Sequence, residues 1–355
     1  MNITILGAGT MASALTIPLT DNGHRVRLWG TRYDRDILEN VSSGREHPRL
    51  GKTLSTDLQT YQPEQLEAAL DDADLVVLGV SSQGVVPVLR KAAEHIQEHQ
   101  TLLSIAKGVV TIDDDVHFME EGIQTVFREQ HPPAPNVVIA AGPSIAAELA
   151  HRTLTPVDFA SRSREAAETW ANTAGTDYYR INPTTDVRGT EICLGYKNVY
   201  SIALSWPEGR ARVTDDTSTM SNARSLLFMV AVDELSRITE RAGGNARTAL
   251  ARPGLGDFVT TSESGRNGMF GRLLGEEHGV QEALDILHRK GVGVVEGYET
   301  ARPAVRRLRK MYEGDDPIEE VVPMLIEIHR VLYDEKPVAE AMDRVIRTIE
   351  SNTDL

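Results

Sequence analysis

The chain has 355 residues, of which 41% are hydrophobic, and a formal net charge of −15. Such a length predicts about two domains, and the charge disfavours nucleic acid and anionic membranes as partners. A single cysteine, Cys193, excludes an intrachain disulfide and a multi-cysteine metal site, and no run of roughly 18 apolar residues reads as a membrane span.

The N-terminus, Met1-Asn2-Ile3-Thr4-Ile5-Leu6, enters a strand at once, without the basic segment of a signal peptide. With the lone cysteine, this predicts a cytoplasmic protein. Arginine supplies most of the positive charge, and the chain has only seven lysines. The acidic, lysine-poor balance is the composition of a protein that stays soluble in salt; activity that collapses with rising salt would count against that reading.

The strand Asn2–Leu6 runs into Gly7-Ala8-Gly9-Thr10-Met11-Ala12, a G-x-G-x-x-A pattern that opens a helix and is followed by a second strand, Arg25–Trp29. The first glycine permits the tight turn, and the second lets a pyrophosphate approach the backbone. Small Ala12 lets helix and strand pack closely. In that β-α-β setting the pattern predicts dinucleotide binding. The second strand ends Trp29-Gly30-Thr31-Arg32, with no acid at its tip to hold a ribose 2′-hydroxyl. Arg32 suits a 2′-phosphate instead, which favours NADP(H) and leaves NAD(H) admissible.

Asp74–Val80 is a near-continuous apolar run, as expected of a parallel strand buried on both faces. A further strand, Thr101–Ile105, leads to Lys107, placed where open α/β sheets bind ligands. The proline-rich loop Pro132–Pro135 precedes the strand Asn136–Ala141. That strand delivers Gly142-Pro143-Ser144-Ile145-Ala146, a turn whose N–H groups and Ser144 hydroxyl suit an anion or a carboxamide; a plain helix cap is the alternative for Ser144. Weaker strands are expected at Val157–Ala160 and Tyr178–Ile181. The loop Asn182-Pro183-Thr184-Thr185 is the expected domain boundary, giving a dinucleotide-binding domain at 1–182 and a helical domain at 183–355.

Beyond residue 183 helical periodicity takes over. Helices are expected at Asp186–Leu204, Asn222–Ala242, Met269–Gly275, Val280–Arg289, Thr300–Tyr312, Pro317–Leu332 and Pro337–Glu350, with a capping box at Asp316-Pro317-Ile318-Glu319. The fold class is therefore α/β, a doubly wound sheet followed by an all-α domain. Within Asp186–Leu204 the stretch Thr190-Glu191-Ile192-Cys193-Leu194-Gly195-Tyr196-Lys197-Asn198-Val199 is too apolar for a surface helix, yet it carries Lys197. A lysine in apolar surroundings can give up a proton near neutral pH, and arginine cannot. The competing reading is a lysine that snorkels to solvent. Two glycine-rich polar stretches follow: Gly254-Leu255-Gly256-Asp257-Phe258 leading to Gly265-Arg266-Asn267-Gly268, and Gly291-Val292-Gly293-Val294-Val295-Glu296-Gly297. Of each acid and arginine the bland reading is a helix cap or a surface charge. His95 and His99 fall in a polar segment beside Glu94 and Glu98, the pattern of a solvated face rather than a metal site.

Taken together the motifs ILGAGTM, IAKG, GPSIAAELA, GTEICLGYKNVYSIA, GLGDF, GRNGMFG and VVEGY, in that order, resemble the NAD(P)-dependent glycerol-3-phosphate dehydrogenases of bacterial and archaeal type. The resemblance runs from Gly7 to about Pro317. It implies a Rossmann domain, a helical domain, a homodimer, and interconversion of dihydroxyacetone phosphate and sn-glycerol 3-phosphate. It leaves open whether the product serves phospholipid synthesis or glycerol breakdown. By position Lys197 matches the family's proton donor and acceptor, and Lys107 the lysine that touches cofactor and substrate. Gly142, Ser144, Asn198, Asp257, Arg266 and Asn267 match the substrate site, with Asp257 placed to orient Lys197. Gly7, Gly9, Thr10, Met11, Arg32, Ala146, Arg266, Val294 and Glu296 match cofactor positions. Gly265 stands where the family usually has serine, which removes one hydroxyl. The alternatives are a related two-domain dehydrogenase acting on a β-hydroxyacid or ketopantoate, and a non-catalytic NADPH-binding sensor.

Overall fold

The computed structural model describes residues 1–130, 133–214, 220–262, 265–314 and 317–351. Contacts divide the chain into two compact units, Met1–Glu191 and Ile192–Leu355. The division falls inside one continuous helix, Val187–Ala203.

The described strands of the first unit are β1 Asn2–Leu6, β2 Arg25–Trp29, β3 Gln59–Tyr61, β4 Leu75–Leu78, β5 Thr101–Ser104, β6 Val109–Ile112, β7 Asp115–Phe118, β8 Asn136–Ala141, β9 Thr155–Ala160 and β10 Tyr179–Thr184. Eight of them form one sheet in the order β10-β9-β8-β5-β4-β1-β2-β3. All pairs in it are parallel except β8 with β9. The chain winds outward from β1 to β3 and then returns to build the other half from β4. The point where the order reverses therefore lies between β1 and β4, the place where open parallel sheets bind ligands. Every side chain of β4 and β5 is buried, which accounts for the unbroken apolar run of β4. The core of this unit joins Ile3, Ile5, Leu28, Val77, Leu103 and Val138 from the sheet to Ala14, Leu15 and Trp170 from the helices.

Two sequence expectations need correction here. Asn182–Thr185 is not a loop throughout, because Asn182, Pro183 and Thr184 extend β10 alongside Asp158, Phe159 and Ala160. Pro183 is tolerated because β10 is an edge strand, and Asn182 Nδ2 donates to Asp158 Oδ1 at 3.1 Å. The hairpin β6–β7 was not expected at all. Its two-residue turn, Asp113-Asp114, has φ of 47° and 66°, the left-handed pair that suits a tight hairpin. Of the expected proline-rich loop, Pro132 lies outside the described residues.

The second unit carries no strand among its described residues. Its helices include Trp206–Val213, Ser221–Arg241, Asp257–Ser262, Arg266–Gly275, Val280–Arg289 and Glu296–Met311. The expected helix Pro317–Leu332 is broken into Ile318–Val321 and Pro323–Tyr333. Pro323 supplies no N–H and pushes Val322 out of helical geometry, to φ −133° and ψ 60°. Asp316, the first residue of the expected capping box, lies outside the described residues. Among the described residues no helix is long and apolar enough to cross a membrane.

Candidate active site

In the first unit the glycine loop leaves the C-terminal end of β1. Gly7 has φ of 113°, and its N–H donates to the Trp29 carbonyl at 2.7 Å. A Cβ at Gly7 would stand 2.8 Å from the Gly79 carbonyl oxygen, so any side chain there displaces the start of the loop. Gly9 caps the helix Thr10–Asp21 in an extended conformation, with no side chain bonded to the first-turn N–H groups. Ala12 is buried where a Cβ on Gly79 would come within 2.6 Å of its own, so helix and sheet meet through one methyl group. The small residue in the third position of the pattern is thus required by packing.

At the end of β2, Arg32 lies over the Tyr33 ring, 4.7 Å from its centroid, and both side chains are exposed. No acid stands at the strand tip, as the sequence indicated, but Asp34 folds back onto it. Its Oδ2 accepts the Thr31 N–H at 2.8 Å and the Thr31 hydroxyl at 2.7 Å. Lys107, just beyond β5, is half-buried and lines a small cavity with Met11, Gly142 and Ser144. Gly142 has φ of 133° and packs where a Cβ would meet the Pro156 carbonyl at 3.0 Å. Ser144 is not a helix cap; its hydroxyl donates to the Met11 sulfur at 3.7 Å, and Ile145 caps the short helix Ala146–Ala150. Ala146, at the start of that helix, packs against the core of the unit.

In the second unit, Lys197 is wholly buried, which removes the snorkelling reading. Its Nζ pairs with Asp257 Oδ2 and donates to Thr261 Oγ1 at 3.1 Å. Asp257 is itself buried, at the start of the helix Asp257–Ser262, directly after the π-helical turn Arg252–Gly256. Thr261, one turn on, donates its own proton to the Asp257 carbonyl at 2.7 Å, so its lone pairs face the ammonium. Sequence reasoning missed Thr261, although its spacing of four residues from Asp257 on a helix was a usable signal.

A second network begins at the neighbouring Asn198. Its Nδ2 donates to Glu296 Oε2 at 3.1 Å, and its Oδ1 accepts from Asn267 Nδ2 at 3.3 Å. Asn267 Oδ1 accepts the Gly297 N–H at 2.8 Å, and Arg266 pairs with Glu296 Oε1 at 2.8 Å. Gly297 must be glycine, since a Cβ would lie 2.3 Å from the Asn198 carbonyl. The expected substrate residues Asn198, Arg266 and Asn267 are thus brought together with Glu296. Val294 stands apart from these contacts and is half-exposed.

Two buried acids escaped the sequence reading. Glu234 accepts the Tyr200 hydroxyl at 2.8 Å and caps the helix Pro323–Tyr333 through the N–H groups of Met324 and Leu325. Burial pushes its carboxyl up to about 7. Glu191 is pushed up to about 8, mainly by burial, although Arg188 favours its ionised form and the Glu120 N–H donates to it at 2.6 Å. Glu191 Oε2 has no hydrogen-bond partner among the described residues. The unfolded chain releases this proton near 4.5 and the folded chain near 8, so the contribution to stability is full below 4.5 and is lost as pH rises to about 8. Glu191→Gln, neutral at every pH, should flatten the alkaline side of the stability profile by an amount on the order of a few kcal/mol. Thermal unfolding across that window checks this; parallel profiles for variant and wild type would refute it.

With this geometry established, comparison with known proteins becomes informative. A family model described as NAD-dependent glycerol-3-phosphate dehydrogenase N-terminus matches residues 2–167, and its C-terminal counterpart matches 186–343. The NADP(+)-dependent glycerol-3-phosphate dehydrogenase of Archaeoglobus fulgidus is 41% identical over 342 residues, covering 96% of this chain and 98% of that one. A glycerol-3-phosphate dehydrogenase [NAD(P)+] of Bacillus cytotoxicus is 30% identical, covering 99% and 96%. Among solved structures, the glycerol-3-phosphate dehydrogenase of Coxiella burnetii is similar in fold with a TM-score of 0.80 at 23% identity, covering 97% of this chain and 98% of that one. The Plasmodium falciparum enzyme gives a TM-score of 0.82 at 17% identity, covering 97% and 94%. The chain belongs to the NAD-dependent glycerol-3-phosphate dehydrogenase family.

Proposed function

We propose that the protein is an NAD(P)-dependent sn-glycerol-3-phosphate dehydrogenase that prefers NADP(H), with Lys197 as proton donor and acceptor. The observation that carries this reading is the wholly buried Lys197 ammonium, held by Asp257 and Thr261. In this reading the first unit binds the dinucleotide and the second carries the proton-transfer and substrate groups.

The glycine loop fits a dinucleotide: Gly7 tolerates no side chain, and Gly9 leaves the first-turn N–H groups without a side-chain cap. Gly7, Gly9, Thr10 and Met11 would hold the pyrophosphate end, Arg32 the 2′-phosphate, and Lys107 and Ala146 the cofactor near the substrate. A dinucleotide held by these residues would, in its reduced form, supply the hydride for reduction of the carbonyl of dihydroxyacetone phosphate. Negative charge then develops on the carbonyl oxygen, where Lys197 Nζ stabilises it and delivers a proton, giving the secondary alcohol. Asp257 holds the ammonium in place before transfer and accepts from the amine afterwards. Thr261 fixes a second direction at the same nitrogen. Arg266 and Asn267 suit the substrate phosphate. Glu296 competes for Arg266 through the ion pair at 2.8 Å. A homodimer in the cytoplasm is part of the same proposal, from the resemblance and the composition.

The test is stoichiometric formation of sn-glycerol 3-phosphate as NADPH is consumed with dihydroxyacetone phosphate. Turnover with ketopantoate or a β-keto acid instead would move the protein to a neighbouring dehydrogenase class. Tight NADPH binding without any turnover would favour the sensor. Arg32→Gln is expected to raise the KM for NADPH at least about tenfold and to leave that for NADH nearly unchanged, because a charged hydrogen bond to the 2′-phosphate is lost. An equal rise for both cofactors would place Arg32 elsewhere.

A further inference from the structure

The helix Val187–Ala203 meets the helix Asp257–Ser262 through two side chains. Lys197 reaches Asp257 and Thr261. Tyr200, three residues on and so on the same face, sets its ring 6.5 Å from that of Phe258, centroid to centroid, with the planes at 51°. The first contact is polar and carries the proposed chemistry. The second is apolar, between two wholly buried side chains, and the reading above does not use it.

Phe258 follows Asp257 directly, where the π-helical turn Arg252–Gly256 passes into the α-helix. Its ring has a second aromatic neighbour, Phe228 of the helix Ser221–Arg241, stacked at 4.8 Å and 27°. Both separations lie in the range of favourable aromatic pairs. The helix that Asp257 opens has only six residues, so tertiary packing sets its position. A planar peptide joins Asp257 to Phe258, and a shift of the Phe258 main chain therefore shifts Asp257.

Tyr200 is itself tethered. Burial holds its phenol well above the ordinary pKa, so the hydroxyl keeps its proton. It donates to Glu234 Oε2 at 2.8 Å, and Glu234 accepts the N–H groups of Met324 and Leu325 at 2.6 and 3.1 Å. The ring is thus fixed at one end by its own helix and at the other by the helix Pro323–Tyr333, and Phe258 packs against what lies between.

We propose that Tyr200 is a positioning residue for proton transfer: its ring seats Phe258 and so holds the Asp257 carboxylate at the Lys197 ammonium. The inference rests on the role proposed for Lys197.

Two variants divide the ring from its hydroxyl. Tyr200→Leu removes the aromatic seat. Tyr200→Phe keeps the seat and gives up only the bond to Glu234, which retains its two main-chain donors. Phe258→Leu removes the same contact from the other side and decides the matter if Tyr200→Leu does not fold. The measurements are kcat and the KM values for dihydroxyacetone phosphate and NADPH, per folded, NADPH-binding molecule, with the unfolding midpoint alongside. Tyr200→Leu and Phe258→Leu should each lower kcat at least about tenfold, the effect of a small misplacement at the reacting groups, with both KM values within about threefold of wild type. Tyr200→Phe should keep kcat within about threefold of wild type, even if it unfolds at a lower temperature. Wild-type kcat in the leucine variants, or an equal loss in Tyr200→Phe, would overturn the proposal. A tyrosine that only supports the fold would lower the unfolding midpoint and leave the kcat of the folded molecules unchanged. Absence of turnover by the wild type, or a near-normal kcat in Lys197→Arg, would strike the reading of Lys197 itself.

Discussion

Lys197→Met is expected to lower kcat by about three orders of magnitude, within the range that positioned proton transfer contributes, while NADPH affinity stays near that of the wild type. Methionine matches the length and flexibility of the lysine stem, so the slot in the helix Val187–Ala203 remains filled. What disappears is the ammonium that Asp257 and Thr261 hold. The variant also strands Asp257, so kcat must be expressed per folded, NADPH-binding molecule. A near-normal kcat under that normalisation would remove Lys197 from the chemistry.

The second large effect is on stability. Lys197 and Asp257 are both almost fully buried and form an ion pair. Ions are costly to desolvate, and such a pair persists because each charge compensates the other. Asp257→Asn preserves shape but leaves the buried ammonium without its counter-ion. Removing one partner of a buried pair typically costs about 3–5 kcal/mol. The urea unfolding transition of the second unit should therefore move to lower denaturant, and kcat should fall with it, because the ammonium is no longer held. Replacing both partners, as in Lys197→Met with Asp257→Leu, should recover much of the stability but none of the activity. An Asp257→Asn protein as stable and as active as wild type would show that the pair is incidental to both.

How far these features were legible in the sequence depended on whether the signal was local. The glycine loop announced itself because the tight turn, the close approach to Gly79 and the meeting of Ala12 with the sheet each demand a small residue at a fixed offset. β4 was legible because burial on both faces leaves no polar position in the run. Lys197 was conspicuous as a charge in an apolar helix, and its burial follows from the same pattern. The hairpin β6–β7 was hidden because its turn is Asp113-Asp114 rather than the usual Asn-Gly or Asp-Gly. Pro183 read as a loop because the edge position that tolerates it is set by sheet order, which no local window contains.

The partnerships were the least legible part. Glu234 caps a helix that begins some ninety positions later in the chain, with its contact to Met324 made at a separation of 90 residues. Glu296 reaches Arg266 across 30 residues and Asn198 across 98. Helical periodicity assigns such residues a face and gives no information about a distant partner. The motifs therefore named Arg266, Asn267 and Glu296 before anything showed how Arg266 and Asn267 are tied to Glu296 and Gly297.

The central claim is that the Lys197 nitrogen gives up a proton to the substrate oxygen rather than only supplying charge. Lys197→Arg addresses it most directly, because arginine keeps a positive charge near Asp257 and does not release its proton. The measurement is kcat for reduction of dihydroxyacetone phosphate by NADPH, with cofactor affinity as the control for intact folding. If Lys197 is the proton donor, kcat falls by orders of magnitude while NADPH still binds. An arginine variant that binds NADPH and turns over at close to the wild-type rate would contradict that role and leave Lys197 as an electrostatic group alone.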